Sequence, residues 1–186
     1  MPTGVRLART SDIDDIAAIQ VRAWEELYGS ILGDAGLRLD RAELADRWGA
    51  AILDPPDQRA RVLVATQEDL VVGFAAFGPS FDPDLAGASG EIHALVVHPD
   101  RLRQGHGSRL MAACVDHLRS AGFDAASTWT LLEDLQRRAF WQSAGWGPDS
   151  ALRTLGEQSA PGMDPDAGVS ITEIRLVTSI AAEPHM

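Results

Sequence analysis

The run Arg103-Gln104-Gly105-His106-Gly107 is the segment whose residue types and spacing have the clearest chemical use. Two glycines two positions apart, placed where a strand-like run gives way to a helical pattern, let the backbone come close to a ligand. The first N–H groups of the following helix have no intrahelical acceptor, and the helix dipole adds partial positive charge at the same end. Arg101 and Arg103 bring two more cations and Ser108 a hydroxyl, so the loop suits an anion, and a pyrophosphate in particular. A Rossmann dinucleotide loop does not fit, because that fingerprint needs a third glycine where this chain has Leu110.

Upstream of the loop, Glu91 opens an apolar strand-like run, and a carboxylate there could take a proton from a substrate ammonium directly or through water. Period-two counting puts His93 on the same face, where a structural role is the simpler reading. Trp24 and Tyr28, one helical turn apart, share a face and could shape a pocket for an amine. Asp134 reads first as a helix N-cap. Acidic residues at Glu25, Asp82, Asp84 and Glu91 would suit a cationic acceptor if they converge. His98, His106 and His117 have no metal-site spacing, so no metal is expected. Cys114 is the only cysteine and falls in an apolar helical stripe, which excludes an intramolecular disulfide.

The elements that must position these groups can be read from periodicity. Val5 to Ala8 suggests a strand, and Thr10 and Ser11 are cap candidates for a helix through Ile13, Ile16, Ala17, Trp24 and Leu27. Asp40 with Glu43 resembles a capping box for a second helix through Leu44, Trp48 and Ile52, which Pro55 stops. Arg61 to Thr66 and Leu70 to Phe77 read as a hairpin around Gln67-Glu68-Asp69, followed by a long loop from Gly78 to Gly90. Glu91 to His98 is a strand ending at Pro99. The helix after the glycine loop carries an apolar stripe of Leu110, Met111, Cys114, Val115 and Leu118 and closes at Gly122. A strand near 126–131, a helix near 133–144, a weak run near Leu152 and a strong one at Val169 to Val177 complete the pattern, with a loop at Gly156 to Gly168.

Composition narrows the function classes. The net charge of −11 disfavours nucleic acid and favours cationic partners. With no lysine in the chain, a Walker-type phosphate loop and Schiff-base chemistry are excluded. No apolar stretch is long enough for a membrane span and the first twelve residues show no signal-peptide run, so a cytoplasmic protein is expected, with no membrane partner. At 186 residues, one domain spanning 1–186 is expected, and a homodimer would be the commonest assembly.

The stretch from Glu91 to Trp146 resembles the GNAT acetyltransferase family, in which a strand ending in V-x-P leads into [QR]-x-x-G-x-[GA] and a long helix; here it reads VVHPDRLRQGHGSRLM. The segment Ala23-Trp24-Glu25-Glu26-Leu27-Tyr28 is similar to the A-W-x-x-x-Y found early in many small bacterial members. The resemblance implies an α/β fold with a mixed, mostly antiparallel sheet, flanked by helices and splayed between its fourth and fifth strands. It also implies acetyl-CoA as donor and an amine of a small molecule or peptide as acceptor. By the same match, backbone groups of Leu95, Val96 and Val97 would pair with pantetheine. Arg103, Gln104, Gly105, His106, Gly107 and Ser108 would hold the pyrophosphate, and Asp134 and Trp141 would fall in the second cofactor motif. Leu102 stands where the family has Gln or Arg, and Asp134, Arg137 and Trp141 stand for its Asn, Ala and Tyr. The family's tyrosine is often assigned as the acid that reprotonates the thiolate, which an indole cannot do. That departure keeps a second reading in view, an acyl-CoA-binding sensor without turnover.

Overall fold

The computed structural model describes residues 2–36, 39–85, 89–155 and 170–181, with side chains described only through residue 28 in the first stretch. Its elements run β1 (Thr3–Leu7), a 3-10 turn (Thr10–Asp12), α1 (Ile13–Gly36), α2 (Arg41–Leu53), β2 (Arg61–Gln67), β3 (Leu70–Pro79) and β4 (Ser89–Val97). A second 3-10 turn (Pro99–Arg101), α3 (His106–Ser120), β5 (Ala125–Leu131), α4 (Leu135–Ser143), β6 (Gly147–Leu155) and β7 (Ile171–Ser179) follow. The seven strands form one sheet in the order β1-β2-β3-β4-β5-β7-β6. Every neighbouring pair is antiparallel except β4 and β5, whose connection through α3 makes them parallel.

Local chemistry accounts for most of these elements. The β2–β3 hairpin turns on Glu68 and Asp69, both at positive φ (51° and 68°), the mirror-image turn that matches strand twist. Asp40 caps α2 by accepting from the Ala42 and Glu43 N–H groups, whereas Glu43 pairs with Arg47. At the start of α1 the expected caps are not the ones used. The Asp12 carboxylate accepts from the Arg9 N–H and is held by Arg6 Nη1 at 2.7 Å, because a buried carboxylate requires a charged partner that a hydroxyl cap does not.

The sheet is covered on both faces. Ile16 and Ile19 of α1 pack with Val62, Val64, Phe74 and Val96 on one side. Leu110, Cys114 and Leu118 of α3, with Trp141 and Trp146, pack against Leu63, Ala75 and Ile92 on the other. Gly90 lets α3 seat where β4 meets β5, since a Cβ there would lie 2.5 Å from Leu118 Cδ2. Three boundaries differ from the periodicity reading. β3 and β4 extend to Pro79 and back to Ser89, which shortens the loop between them, and the weak run near Leu152 is a full strand supported by its ladder with β7. The predicted loop at 156–168 and the first residues of the last predicted strand lie outside the described residues.

Two irregularities prepare the site. β4 and β5 pair only at Ser89↔Ala125, Gly90↔Ala126 and Glu91↔Ser127, after which they part. The stretch from Ile92 to Val97 is therefore laddered to β3 on one edge and open on the other, the splay that the family resemblance implies. Within it, Ala76↔Ala94 is followed by Phe77↔Ile92, so His93 is the extra residue of a β-bulge. The bulge resets the alternation: Ala94 and Val96 pack on the α1 side, while Leu95 and Val97 pack on the α3 side.

Candidate active site

A cleft of about 760 Å³ opens beside the stretch of β4 that has left β5. Its walls are Leu95 and Val97 of β4, Pro99, Arg101 to Arg103 and Gly105 to Ser108, and α4 with Asp134, Arg137, Phe140 and Trp141; Ala23, Glu26 and Leu27 of α1 contribute on the remaining side. Leu95 and Val97 thus reach the cleft, whereas Val96 is buried on the opposite face and can contribute only backbone.

The glycine loop has the geometry its composition suggests. Gly105 is the N-cap of α3 at φ 79°, a left-handed conformation that suits glycine, and Arg103 shares that region at φ 61°. The first intrahelical bond runs from the Arg109 N–H to Gly105 O at 3.1 Å, which leaves the N–H groups of His106, Gly107 and Ser108 without intrahelical acceptors. Gly107 has no positive φ, and a Cβ there would meet Phe140 Cζ at 3.4 Å and Leu95 Cδ2 at 3.8 Å, ordinary contact distances. Gln104 is not part of the cleft wall; its carbonyl accepts from Arg109.

His106 offers more than a backbone N–H. Its ring is 1 % exposed and Nδ1 lies 3.0 Å from Arg109 Nη2. A guanidinium can only donate, so Nδ1 accepts and the proton sits on Nε2. That Nε2 is buried without a hydrogen-bond partner. Burial, and then the charges of Arg109 and Arg101, hold the His106 pKa below its ordinary value, so the ring is a neutral donor. Arg101, Arg103 and Arg137 all line this end, and Arg137 is 3.3 Å from Asp134. A chain of net charge −11 has gathered cations at one helix N-terminus, the arrangement that binds a polyanion.

Asp134 caps α4 by accepting from the Arg137 N–H at 2.8 Å. Trp141 reaches the cleft but is 3 % exposed, with its ring edge-on to Trp146 at 4.8 Å and to Phe140 at 5.4 Å. Neither Trp24 nor Tyr28 is on the cleft wall, although their neighbours Ala23 and Leu27 are. Tyr28 packs with Leu131 and Ile171, edge-on to Trp24 at 5.6 Å. Burial, with the nearby charge of Glu173, pushes its phenol up to about 12.

Glu91 lies at the last β4–β5 pair and is 6 % exposed. Ser80 Oγ donates to its Oε2 at 3.0 Å, and His93 Nδ1 is 3.2 Å from its Oε1. Burial pushes the carboxyl pKa up, but hydrogen bonds from His93 and Ser80 and the charges of His93 and Arg153 outweigh it, and the net direction is down. Ser80 was invisible to periodicity because it lies just past β3 and meets Glu91 only through the register of β3 with β4. The four acidic residues do not converge. Glu25 is exposed, and Asp82 and Asp84 are both held, with Asp149, by the buried Arg175. Among the described residues no group of His, Cys, Asp or Glu is placed to hold a metal ion, and no helix is long and apolar enough to cross a membrane.

The model of the acetyltransferase (GNAT) family matches residues 16–146. This chain belongs to that family. The Bacillus subtilis protein named uncharacterized N-acetyltransferase YuaI is 34% identical over 129 residues, covering 68% of this chain and 70% of YuaI. A mycothiol acetyltransferase of Clavibacter sepedonicus is 30% identical over 149 residues, covering 78% of this chain but 44% of that longer protein. Among solved structures, yncA from Salmonella typhimurium with its cofactor acetyl-CoA superposes with a TM-score of 0.66 at 18% identity, covering 99% of this chain and 96% of that one.

Proposed function

We propose that this GNAT chain moves an acetyl group from acetyl-CoA to a primary amine of a small molecule or peptide, with both substrates bound together. The observation that carries the proposal is the continuity of the β4–β5 opening with a cationic helix N-terminus. The acetyl-CoA-bound neighbour and the transferase names of the relatives support the same donor. The open edge of β4 at Leu95, Val96 and Val97 would pair with pantetheine amides. The first-turn N–H groups of α3, with Gln104, Gly105, Gly107, Ser108, Arg103 and the unpaired His106 Nε2–H, would take the pyrophosphate. Asp134 would hold α4 in place and Trp141 would close the wall behind the cofactor. Trp24 and Tyr28 would act on the acceptor side from behind Leu27. Residues 1–186 are read as one catalytic domain.

The amine attacks the thioester carbonyl directly, with Glu91 drawing off its proton and a β4 backbone N–H meeting the developing oxygen charge. No acyl-enzyme is required. Trp141 cannot protonate the departing thiolate, but CoA is a good enough leaving group near neutral pH to depart without an acid from the protein. A sensor that binds acyl-CoA without turnover is the alternative, and the transferase relatives weigh against it.

The test is thiol release from acetyl-CoA across a panel of primary amines, against a blank without amine. Burial pushes the Cys114 thiol up, so a thiol reagent reads only liberated CoA. Release above the blank is expected with a subset of amines. Glu91→Gln should lower turnover by roughly 100-fold or more at unchanged acetyl-CoA affinity. Binding of acetyl-CoA with no release for any amine would instead point to the sensor.

A further inference from the structure

Glu91 and His93 lie on β4 short of the cleft wall, which begins at Leu95, and the Glu91 carboxylate is already partnered. Ser80 Oγ holds Glu91 Oε2 and His93 Nδ1 faces Oε1, while the side chain of Glu91 is 8% exposed. His93 is the outer member of the pair, with 27% of its side chain exposed. As the bulge residue it follows the last pair of β4 with β5, and its ring lies on the β3 side, near Gly78. Phe81 stacks on the imidazole at 5.3 Å with rings 20° apart, which fixes the ring plane. The other ring nitrogen, Nε2, stands over Gly78, where even an added Cβ would be only 3.6 Å away.

Resting on the acetyl-transfer reading above but reassigning its base, we infer that His93 Nε2, in place of Glu91, is the atom that accepts the amine proton, and that Glu91 acts through His93 as a positioning carboxylate. With Nδ1–H donated to Glu91, the lone pair lies on Nε2, and the carboxylate stabilises the imidazolium that forms. The protons balance. An incoming R–NH₃⁺ gives one proton to Nε2 directly or through a water, and its nitrogen forms the C–N bond as the C–S bond breaks. The second proton leaves the nitrogen with the thiolate as free CoA thiol, and the imidazolium returns its proton to solvent. Around the pair, the charges are Glu91 itself and Arg153 of β6, whose field reaches Glu91; Asp82 and Asp84, beyond Phe81, are committed to Arg175.

Steady-state thiol release with the best amine, at saturating acetyl-CoA, separates this from a structural role. Measured from about pH 5 to 9, wild-type kcat should rise along an acid limb. His93→Gln retains an N–H for Glu91 but cannot titrate, so kcat should fall by about 100-fold or more and the limb should vanish, at unchanged acetyl-CoA affinity. Glu91→Gln should move the limb to lower pH, since the imidazolium loses its counter-charge. A His93→Gln variant with wild-type kcat and an unchanged limb would overturn the inference while leaving acetyl transfer intact. A wild-type kcat flat across that range would do the same without any variant. No thiol release from the wild type with any amine would remove both.

Discussion

Replacing Arg175 with methionine should destabilise the protein and reverse the direction in which acid affects it. The guanidinium is 4% exposed on β7 and meets Asp82 at 3.2 Å, Asp149 at 2.7 Å and Asp84. Methionine fills much of the volume but leaves three carboxylates facing one another. Removing one partner of a buried pair costs about 3–5 kcal/mol; with Asp84 largely in solvent and the other two partly so, the lower end, roughly 3 kcal/mol, applies here. For a chain of this size each kcal/mol moves Tm by about 2–4 °C, so a fall of roughly 6–12 °C is expected. The hydrogen bonds from Arg175 hold the Asp84 pKa below its ordinary value, so in wild type this contribution is present above the ordinary carboxylate range and lost as pH falls through the depressed one. In Arg175→Met the carboxylates repel one another without a counter-charge, so mild acid should recover stability. Because Asp82 follows Ser80 and Phe81 directly, turnover should fall with the tether. Urea unfolding of both proteins between pH 4 and 8 is the assay. A loss below about 1 kcal/mol, or parallel pH dependences, would refute the reasoning.

At Gly107 an alanine Cβ meets Phe140 at ordinary contact distance, so Gly107→Ala should keep acetyl-CoA affinity and gain up to about 1 kcal/mol of helix stability. Gly107→Val should lose about tenfold or more in CoA affinity by calorimetric titration, because its extra methyl groups enter Phe140 or the anion site; undiminished affinity in the folded variant would clear this position. Tyr28 is the only tyrosine, so tyrosinate absorbance reports it alone. After a rapid jump to alkaline pH its midpoint should be near 12. Since the folded pKa exceeds the unfolded one, its stabilising effect is full below about pH 10 and lost as pH rises toward 12. A midpoint near 10 in still-folded protein would show the phenol to be in water.

Local order was written in local residues. The positive φ of Gly105, the hairpin turn at Glu68-Asp69, the Asp40 cap and the α3 stripe each depend on interactions within a few positions, and all were legible as patterns of residue type. The anion loop was legible for the same reason, since a helix N-terminus carries its own field and its own unpaired donors wherever it is put.

Tertiary structure decided which side chains those elements bring together. Asp82 looked like part of an acidic mouth, yet it answers Arg175, 93 residues later, because the sheet orders β5-β7-β6 and not by sequence. Trp24 and Tyr28 share the face that helical spacing predicts, but Tyr28 packs with Leu131 and Ile171, and the residues of this stretch that line the cleft are Ala23, Glu26 and Leu27. His93 lies beside Glu91 as alternation predicts, although it is itself the extra residue at which regular pairing breaks. A bulge is a property of two strands in register, and one strand's residue types do not specify it. By itself the sequence determined that a polyanion could be held at a strand-to-helix turn and that a carboxylate would stand near it. Only the fold decided that this carboxylate would be buried, shared between a serine and a histidine, because burial and partnership come from chain segments meeting in space.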